Sequence, residues 1–407
     1  MQDVVTPNDL DRQYYKNVLS HTVLFTSDAA LLTSEETARM VVDNANIPGW
    51  WEDRFEKAMV KMAGIEVKTV KNSSYLETMA AAAVKKLQVL VACALLLLLA
   101  VGCRASPLQI GFYHDRCPQA EAVVKGVMME AISQNPGNGA AMIRMLFHDC
   151  FVEGCDASVL LDPTPFSPTP EKLSPPNNPS LRGFELIDAI KEALEVACPG
   201  TVSCADIIAF AARDASCILS AGKVHFEVPS GRRDGTFSNA SEPLKFLAPP
   251  TSNLSDLVDS FVVKGLDAED LVILSGAHTI GRSHCSSFVP DRLNAPSDIN
   301  GGLAAFLRDQ CPADAAPGGN DPTVMQDVVT PNDLDRQYYK NVLSHTVLFT
   351  SDAALLTSEE TARMVVDNAN IPGWWEDRFE KAMVKMAGIE VKTGDQGQIR
   401  KNCRAIN

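Results

Sequence analysis

Ala140-Ala141-Met142-Ile143-Arg144-Met145-Leu146-Phe147-His148-Asp149-Cys150-Phe151-Val152-Glu153-Gly154-Cys155-Asp156-Ala157-Ser158 is the most informative stretch of this 407-residue chain. Its first half is apolar at helical spacing. Arg144 and His148, four residues apart, therefore project from one face about one turn apart. A cation and an imidazole do not enter an apolar face without cost. A lone histidine in such a place is more often structural, satisfied by neighbouring backbone. With an arginine beside it, the pair can offer a base for a proton and a fixed cation for developing negative charge. In the second half Asp149, Asp156 and Ser158 alternate with Val152 and Gly154 in a tight loop that a Cys150–Cys155 bridge could close. Side-chain oxygens interleaved with main-chain carbonyls are how a Ca²⁺ cage is assembled, although acidic loops are more often only solvated.

A second string, Leu274-Ser275-Gly276-Ala277-His278-Thr279-Ile280-Gly281-Arg282-Ser283-His284-Cys285, ends a helix on a histidine flanked by small residues. Small residues let a flat group approach the backbone, yet this histidine taken alone is also more often structural. Around the two strings, apolar residues recur at three- and four-residue spacing over Gln119–Gln134, Gly183–Ala197, Val202–Leu219 and Asp267–Ala277, which predicts helices with one buried stripe. Asp267 is the expected N-cap of the last, with Asp270 three residues on, and Gly276 and Gly281 are its stop signals. Pro163–Pro179 and Ser238–Asn253 read as loops. Strand signals are confined to short runs near Val224–Val228, so a mainly α architecture is expected.

Composition narrows the function classes. The chain is 46% hydrophobic and 21% charged, which is globular. With 36 Lys+Arg against 51 Asp+Glu the formal charge is −15, which disfavours nucleic acid or anionic lipid as partners. Eleven cysteines suit a mid-sized secreted domain with several bridges.

Met1–Thr69 reappears without a change as Met325–Thr393. Diverged structural repeats keep a pattern and not every surface residue. Identity over 69 residues points to a recent partial duplication or to two neighbouring coding units joined in frame. After a linker, 70–78, the segment 79–105 has the order of a secretory signal peptide: Met79, then Lys85 and Lys86, the apolar run Leu87–Val101, and the small residue Ala105 as the expected cleavage point. If the upstream copy is translated, the signal is internal and could act as an anchor. Cys93 and Cys103 fall in this segment, leaving an odd number of cysteines in the presumed mature region 106–407.

Together the strings resemble the secreted plant-type (class III) haem peroxidases over Leu108–Asn407. Further motifs in matching order are Gly111-Phe112-Tyr113…Cys117-Pro118, Arg182-Gly183-Phe184, Cys198-Pro199…Val202-Ser203-Cys204-Ala205-Asp206, Val228-Pro229-Ser230-Gly231-Arg232-Arg233-Asp234 and Gly397-Gln398-Ile399-Arg400-Lys401-Asn402-Cys403-Arg404. The resemblance implies a two-domain helical fold with haem b between the domains. His278 would ligate the iron, with Asp352 hydrogen-bonded behind it to make the ligand more electron-donating. His148, Arg144 and Phe147 would lie on the peroxide side. There Asn177, in the loop beginning at Glu171, would accept a hydrogen bond from His148. His148 would take a proton from peroxide and return it to the leaving oxygen while Arg144 stabilises charge. Small phenolic donors would then give up single electrons at an exposed edge, where Pro229 matches a substrate contact.

The resemblance also implies two Ca²⁺ sites. Asp149, Val152, Gly154, Asp156 and Ser158, with Glu171 beside them, would form one, and Thr279, Asp327, Thr330, Asp333 and Asp335 the other. Four disulfides are implied, Cys117–Cys198, Cys150–Cys155, Cys204–Cys403 and Cys285–Cys311, leaving Cys217 as a buried free thiol. Asn239 and Asn253 are in glycosylation sequons. A secreted monomer is expected, without stable membrane association once the signal is cleaved. It would be apoplastic or in the cell wall rather than vacuolar, since Cys403 stands close to Asn407, and would serve the response to oxidative stress. The upstream copy duplicates Asp3, Thr6, Asp9, Asp11 and Asp28 but brings no counterpart of His278, Thr279 or Cys403. The downstream copy is therefore expected to dock. The alternative function is a non-catalytic, calcium-binding wall protein on the same fold.

Overall fold

The computed structural model describes residues 10–47, 50–63 and 108–407, in two compact units. The linker 70–78 and the signal segment 79–105 lie outside the described residues, as do Asp3, Thr6 and Asp9 of the upstream copy. Among the described residues no helix is long and apolar enough to cross a membrane.

The larger unit is helical: α1 (Ala120–Gln134), α2 (Gly137–Cys150), α3 (Phe184–Ala197), α4 (Cys204–Leu219), α5 (Leu254–Val263), α6 (Ala268–Ser275), α7 (Gly301–Gln310), α8 (Gln337–Leu343), α9 (Glu359–Asn370) and α10 (Trp374–Met386). The four helices expected from periodicity are α1, α3, α4 and α6. Ser203 caps α4 by accepting from the Asp206 amide, and Asp267 and Asp270 form a reciprocal capping box at the start of α6. α4 is buried along nearly its whole length because Ala205, Ala209, Ala211, Ala212 and Ala215 let neighbours close in on every side. α2 and α1 pack on it, and α6 packs on α9 and α10. One core cluster runs through all of these helices, and a smaller one, under Cys285–Cys311, joins α7 to Phe288 and Leu348.

The strand expected near Val224–Val228 is not formed. Val224, Phe226 and Val228 are buried while His225 and Glu227 are exposed, so the alternation is real. Among the described residues the segment has no partner strand, however, and the nearest sheet-like pairing is the isolated bridge Gln109–Ser230, two residues beyond it. The described sheet is instead β1 (Arg282–His284) against β2 (Thr323–Met325), antiparallel. Four bridges close as the resemblance implied, Cys117–Cys198, Cys150–Cys155, Cys204–Cys403 and Cys285–Cys311. Cys217 is unpaired but half-buried rather than buried. It lies near the end of α4, where the helix face turns outward, with its Sγ 3.9 Å from Nδ1 of the exposed His225.

The smaller unit holds the upstream copy, with helices at Gln13–Leu19, Glu35–Asn46 and Trp50–Ala63. It repeats the local contacts of its twin: Tyr14 donates to Asp28 at 2.9 Å as Tyr338 does to Asp352 at 2.8 Å. It does not repeat the burial. Leu10, Leu24, Met59 and Met62 are exposed, whereas Leu334, Leu348, Met383 and Met386 are buried. The downstream copy is docked in the larger unit, as expected. Tyr339 and the Trp375 indole donate to main-chain oxygens of α6, and Cys403, just beyond the copy, is bridged to Cys204.

Candidate active site

The apolar stripe of α2 buries Met142, Met145 and Leu146 against the core and leaves Arg144 and Phe147 half-buried on another face. His148 is 5% exposed. Its Nδ1 stands 2.6 Å from Oδ1 of Asn177, and the Asn177 amide nitrogen donates to the Glu171 carbonyl at 2.7 Å. That second bond fixes which end of the amide faces the ring. Nδ1 therefore carries the proton, and Nε2 is left as an acceptor. Arg144 Nε donates to that Nε2 at 3.0 Å. The rest of the guanidinium is held by the Ser180 carbonyl, the Ser180 hydroxyl and the Pro176 carbonyl, at 2.9, 2.9 and 3.0 Å. Burial and then the Arg144 charge push the His148 pKa well below its ordinary value, against the raising effect of the Asn177 bond. Burial and the neighbouring Arg182 pull Arg144 down to about 10.

His278 sits in the single turn Gly276–Thr279 that closes α6. Its Nδ1 is 2.8 Å from Asp352 Oδ1, the same oxygen to which Tyr338 donates. Asp352 is 4% accessible at its side chain, whereas that of His278 is 40% accessible, so the imidazole is only partly covered. Burial works to lower the His278 pKa, but the charge and hydrogen bond of Asp352 outweigh it and leave it raised. The Arg144 charge also acts on His278. Gly281 abuts Ala140 at the start of α2, where a Cβ on it would stand 3.3 Å from that methyl, so the two informative strings meet in space. Gly276 is required by packing. A Cβ there would come within 2.6 Å of the Trp375 indole nitrogen and 2.7 Å of the Tyr339 hydroxyl. Beside this junction lies a cavity of about 140 Å³ lined by Gly137, Arg182, Ile280, Gly281, Arg282 and Met325, among others.

These residues suit a flat iron-bearing group with carboxylate arms. An imidazole with one nitrogen anchored and the other free is a ready axial ligand. The exposed Arg182 guanidinium at the cavity suits a carboxylate. On the opposite side, Phe147 packs tilted on Phe151 with ring centroids 4.4 Å apart.

Two oxygen cages flank this arrangement. In the first, Asp149 Oδ1, the Ser158 hydroxyl and both carboxylate oxygens of Glu171 are buried with no hydrogen-bond partner. Such orphaned buried oxygens are costly unless a cation satisfies them. Val152, Gly154 and Asp156 are buried in the same loop. Burial, then the Asp149 charge, pushes Glu171 up to about 9. In the second cage the Thr279 hydroxyl lies 3.2 Å from Asp327, 3.3 Å from Asp335 and 3.4 Å from the Asp333 carbonyl, and the Thr330 hydroxyl lies 3.3 and 3.2 Å from the same two carboxylates. Among the described residues no three His, Cys, Asp or Glu side chains converge as a metal cluster. The cages instead mix carboxylate, hydroxyl and main-chain oxygens, the donor set of a hard cation. Pro229 is half-buried, and its carbonyl accepts from Arg232 at 2.8 Å.

The structure thus brings together Arg144, His148 and Asn177, then His278 and Asp352, and each oxygen set. It adds Ser180, Pro176 and Tyr338, which sequence reasoning did not single out. Their partners are remote in sequence, and a serine, a proline and a tyrosine carry no spacing signal of their own.

The peroxidase family model matches residues 124–370. The chain belongs to the peroxidase family. It is 78% identical over 319 residues to Peroxidase 2 of Zea mays, covering 78% of this chain and 95% of that protein. It is 46% identical over 330 residues to Peroxidase 1 of Zea mays (79% and 89% covered) and 48% identical over 307 residues to Peroxidase 5 of Vitis vinifera (74% and 92% covered). The resemblance to the plant class III enzymes therefore holds, and a haem peroxidase that takes hydrogen peroxide and an oxidisable donor is favoured over the non-catalytic alternative.

Proposed function

We propose that this protein reduces hydrogen peroxide at a haem b held by His278, with Arg144, His148 and Asn177 as the proton-handling set and small phenols as one-electron donors. The observation that carries this reading is the tautomer of His148, fixed by Asn177 with Nε2 turned toward Arg144. The haem, when bound, supplies the redox chemistry, so that one peroxide and two phenols yield two waters and two phenoxyl radicals. His148 Nε2 accepts the proton of one peroxide oxygen, and the resulting Nε2–H donates to the other as it leaves. Arg144, anchored through Ser180 and Pro176, cannot follow the charge, and so presents a preorganised cation where negative charge develops. Asn177 holds the ring and shares its Nδ1 proton. Asp352 keeps the free nitrogen of His278 basic for the iron, and Phe147 bounds the space on the peroxide side.

The same reading assigns one Ca²⁺ to Asp149, Val152, Gly154, Asp156 and Ser158 with Glu171 nearby, and one to Thr279, Asp327, Thr330, Asp333 and Asp335. The orphaned oxygens support the first and the crowding of hydroxyls with carboxylates the second. Pro229 is a contact for the phenol, and the protein works as a monomer in the apoplast or cell wall. Residues 106–407 are the catalytic domain, 79–105 a signal peptide, and 1–69 a duplicated segment outside that domain. The visible spectrum of the full chain with haem and Ca²⁺ tests the reading. A haem band should shift with one equivalent of peroxide and return on adding a phenol. A band indifferent to peroxide, or none, overturns it.

A further inference from the structure

The loop of the first cage is covered by the segment 389–393, which follows α10. The Cys155 amide donates to the Ile389 carbonyl at 3.0 Å, and the Arg233 amide to the Lys392 carbonyl at 2.8 Å. Two lysines reach the cage, Lys392 on this segment and Lys264 at the end of α5. Lys264 Nζ donates to the Val152 carbonyl at 3.2 Å, but Glu390 also binds it, at 2.8 Å, so that ammonium comes already neutralised. Lys392 differs. Its ammonium forms an ion pair with Asp156 Oδ2 and reaches the Glu153 carbonyl at 3.5 Å. The acid it neutralises is an expected cage member, 2% accessible, while Lys392 is 33% accessible. The other Asp156 oxygen accepts the Ser158 amide at 2.9 Å.

We propose that Lys392 sets the calcium affinity of the first cage by competing, as a fixed monovalent cation, for the carboxylate of Asp156. The inference rests on reading that cage as a Ca²⁺ site. Ca²⁺ takes six to eight oxygens, and charged ones matter most. An ammonium on Asp156 Oδ2 both occupies that oxygen and repels a divalent ion nearby. The repulsion acts across a partly solvated gap, where it is moderate rather than prohibitive. Lys264 exerts no such effect because Glu390 cancels it. Lys392 is therefore a residue outside the ligand set that tunes the set.

The test is calorimetric titration of the full-length holoprotein, stripped with chelator and refilled with Ca²⁺, for the unsubstituted chain and for Lys392→Met, Lys392→Gln and Lys392→Arg. One of two binding steps should tighten about tenfold, ~1.4 kcal/mol, in the Met and Gln variants, while Arg, which keeps the charge, stays near the unsubstituted value. Two neutral variants guard against a folding defect in either. An unchanged or weakened step in both neutral variants, with two Ca²⁺ still bound by the unsubstituted chain, overturns the role of Lys392 and leaves the calcium reading standing. No Ca²⁺ bound by the unsubstituted chain overturns the reading itself and the inference with it.

Discussion

His278 Nδ1 and Asp352 Oδ1 stand 2.8 Å apart, and Tyr338 donates its hydroxyl to that same oxygen at 2.8 Å. The carboxylate is thus shared between an imidazole it makes basic and a phenol that restrains it. Burial, then the Asp352 charge, holds the Tyr338 pKa well above its ordinary value, so the phenol stays a donor. Asp352→Asn removes the charge while keeping the shape. It should raise the haem reduction potential and slow the reaction with peroxide roughly 10–100-fold. Tyr338→Phe should shift the potential the other way, because the carboxylate then serves His278 alone. Potentiometric titration of both holoproteins checks the pair, and shifts of the same sign would contradict the shared-oxygen account.

On the proposed mechanism, His148 should supply the pH dependence. Its folded-state pKa is depressed by burial and by Arg144, so the imidazole stays neutral below its ordinary value of 6.5. The acid limb of the peroxide reaction should therefore lie below 6.5. Burying a neutral histidine contributes stability that is complete above the unfolded pKa and is lost as pH falls from there toward the folded pKa. Asn177→Asp places a negative charge against Nδ1, which should move the limb to higher pH. His148→Leu should lower the rate about 10²–10⁴-fold at all pH values while leaving Ca²⁺ binding intact. Stopped-flow rates across pH decide both, and an acid limb that Asn177→Asp leaves in place would remove His148 as its origin.

Much of this was legible in the sequence for a physical reason. The helices α1 and α3 each bury one stripe, so periodicity marks them, while α4 is buried on every side and α6 over the consecutive run Leu271–Leu274, where apolar content and the Asp267–Asp270 box carry the signal instead. Arg144 and His148 stood out because charge on an apolar face demands a purpose. The segment Val224–Val228 misled because alternation reports one buried face and says nothing of a partner strand. Cys217 misled because helical periodicity inside α4 does not reveal where the end of a helix emerges. Tyr338, Ser180 and Lys392 were silent because each acts on a residue brought near only by the fold.

The upstream copy allows a calorimetric prediction. Its described core is Val18, Val41, Ala45 and Trp51 with little else buried, whereas its twin shares the main core of the larger unit. A unit so small is marginal on its own. Differential scanning calorimetry of the full chain should show a weak transition below the main one. Deleting residues 1–78 should erase the weak transition and leave the main one in place. A main transition that falls on deletion would mean the copy supports the larger unit.

The bridge Cys204–Cys403 spans 199 residues and fastens the C-terminal segment beside the first cage. Arg400, fully buried, donates to the Ala157 carbonyl at 2.6 Å and to the Cys403 carbonyl at 2.8 Å, and its amide donates to Asp234 at 2.8 Å. The bridge therefore holds Arg400, and Arg400 holds the turn between Asp156 and Ser158. Replacing both cysteines with alanine should destabilise the protein by about 2–5 kcal/mol. On the calcium reading of that loop, the same change should weaken Ca²⁺ binding, so by linkage the loss of stability should be larger at saturating Ca²⁺ than without it. Urea midpoints with and without Ca²⁺ measure this. An identical loss in both conditions would show that the bridge acts on the unfolded chain alone and not through Arg400 on the loop.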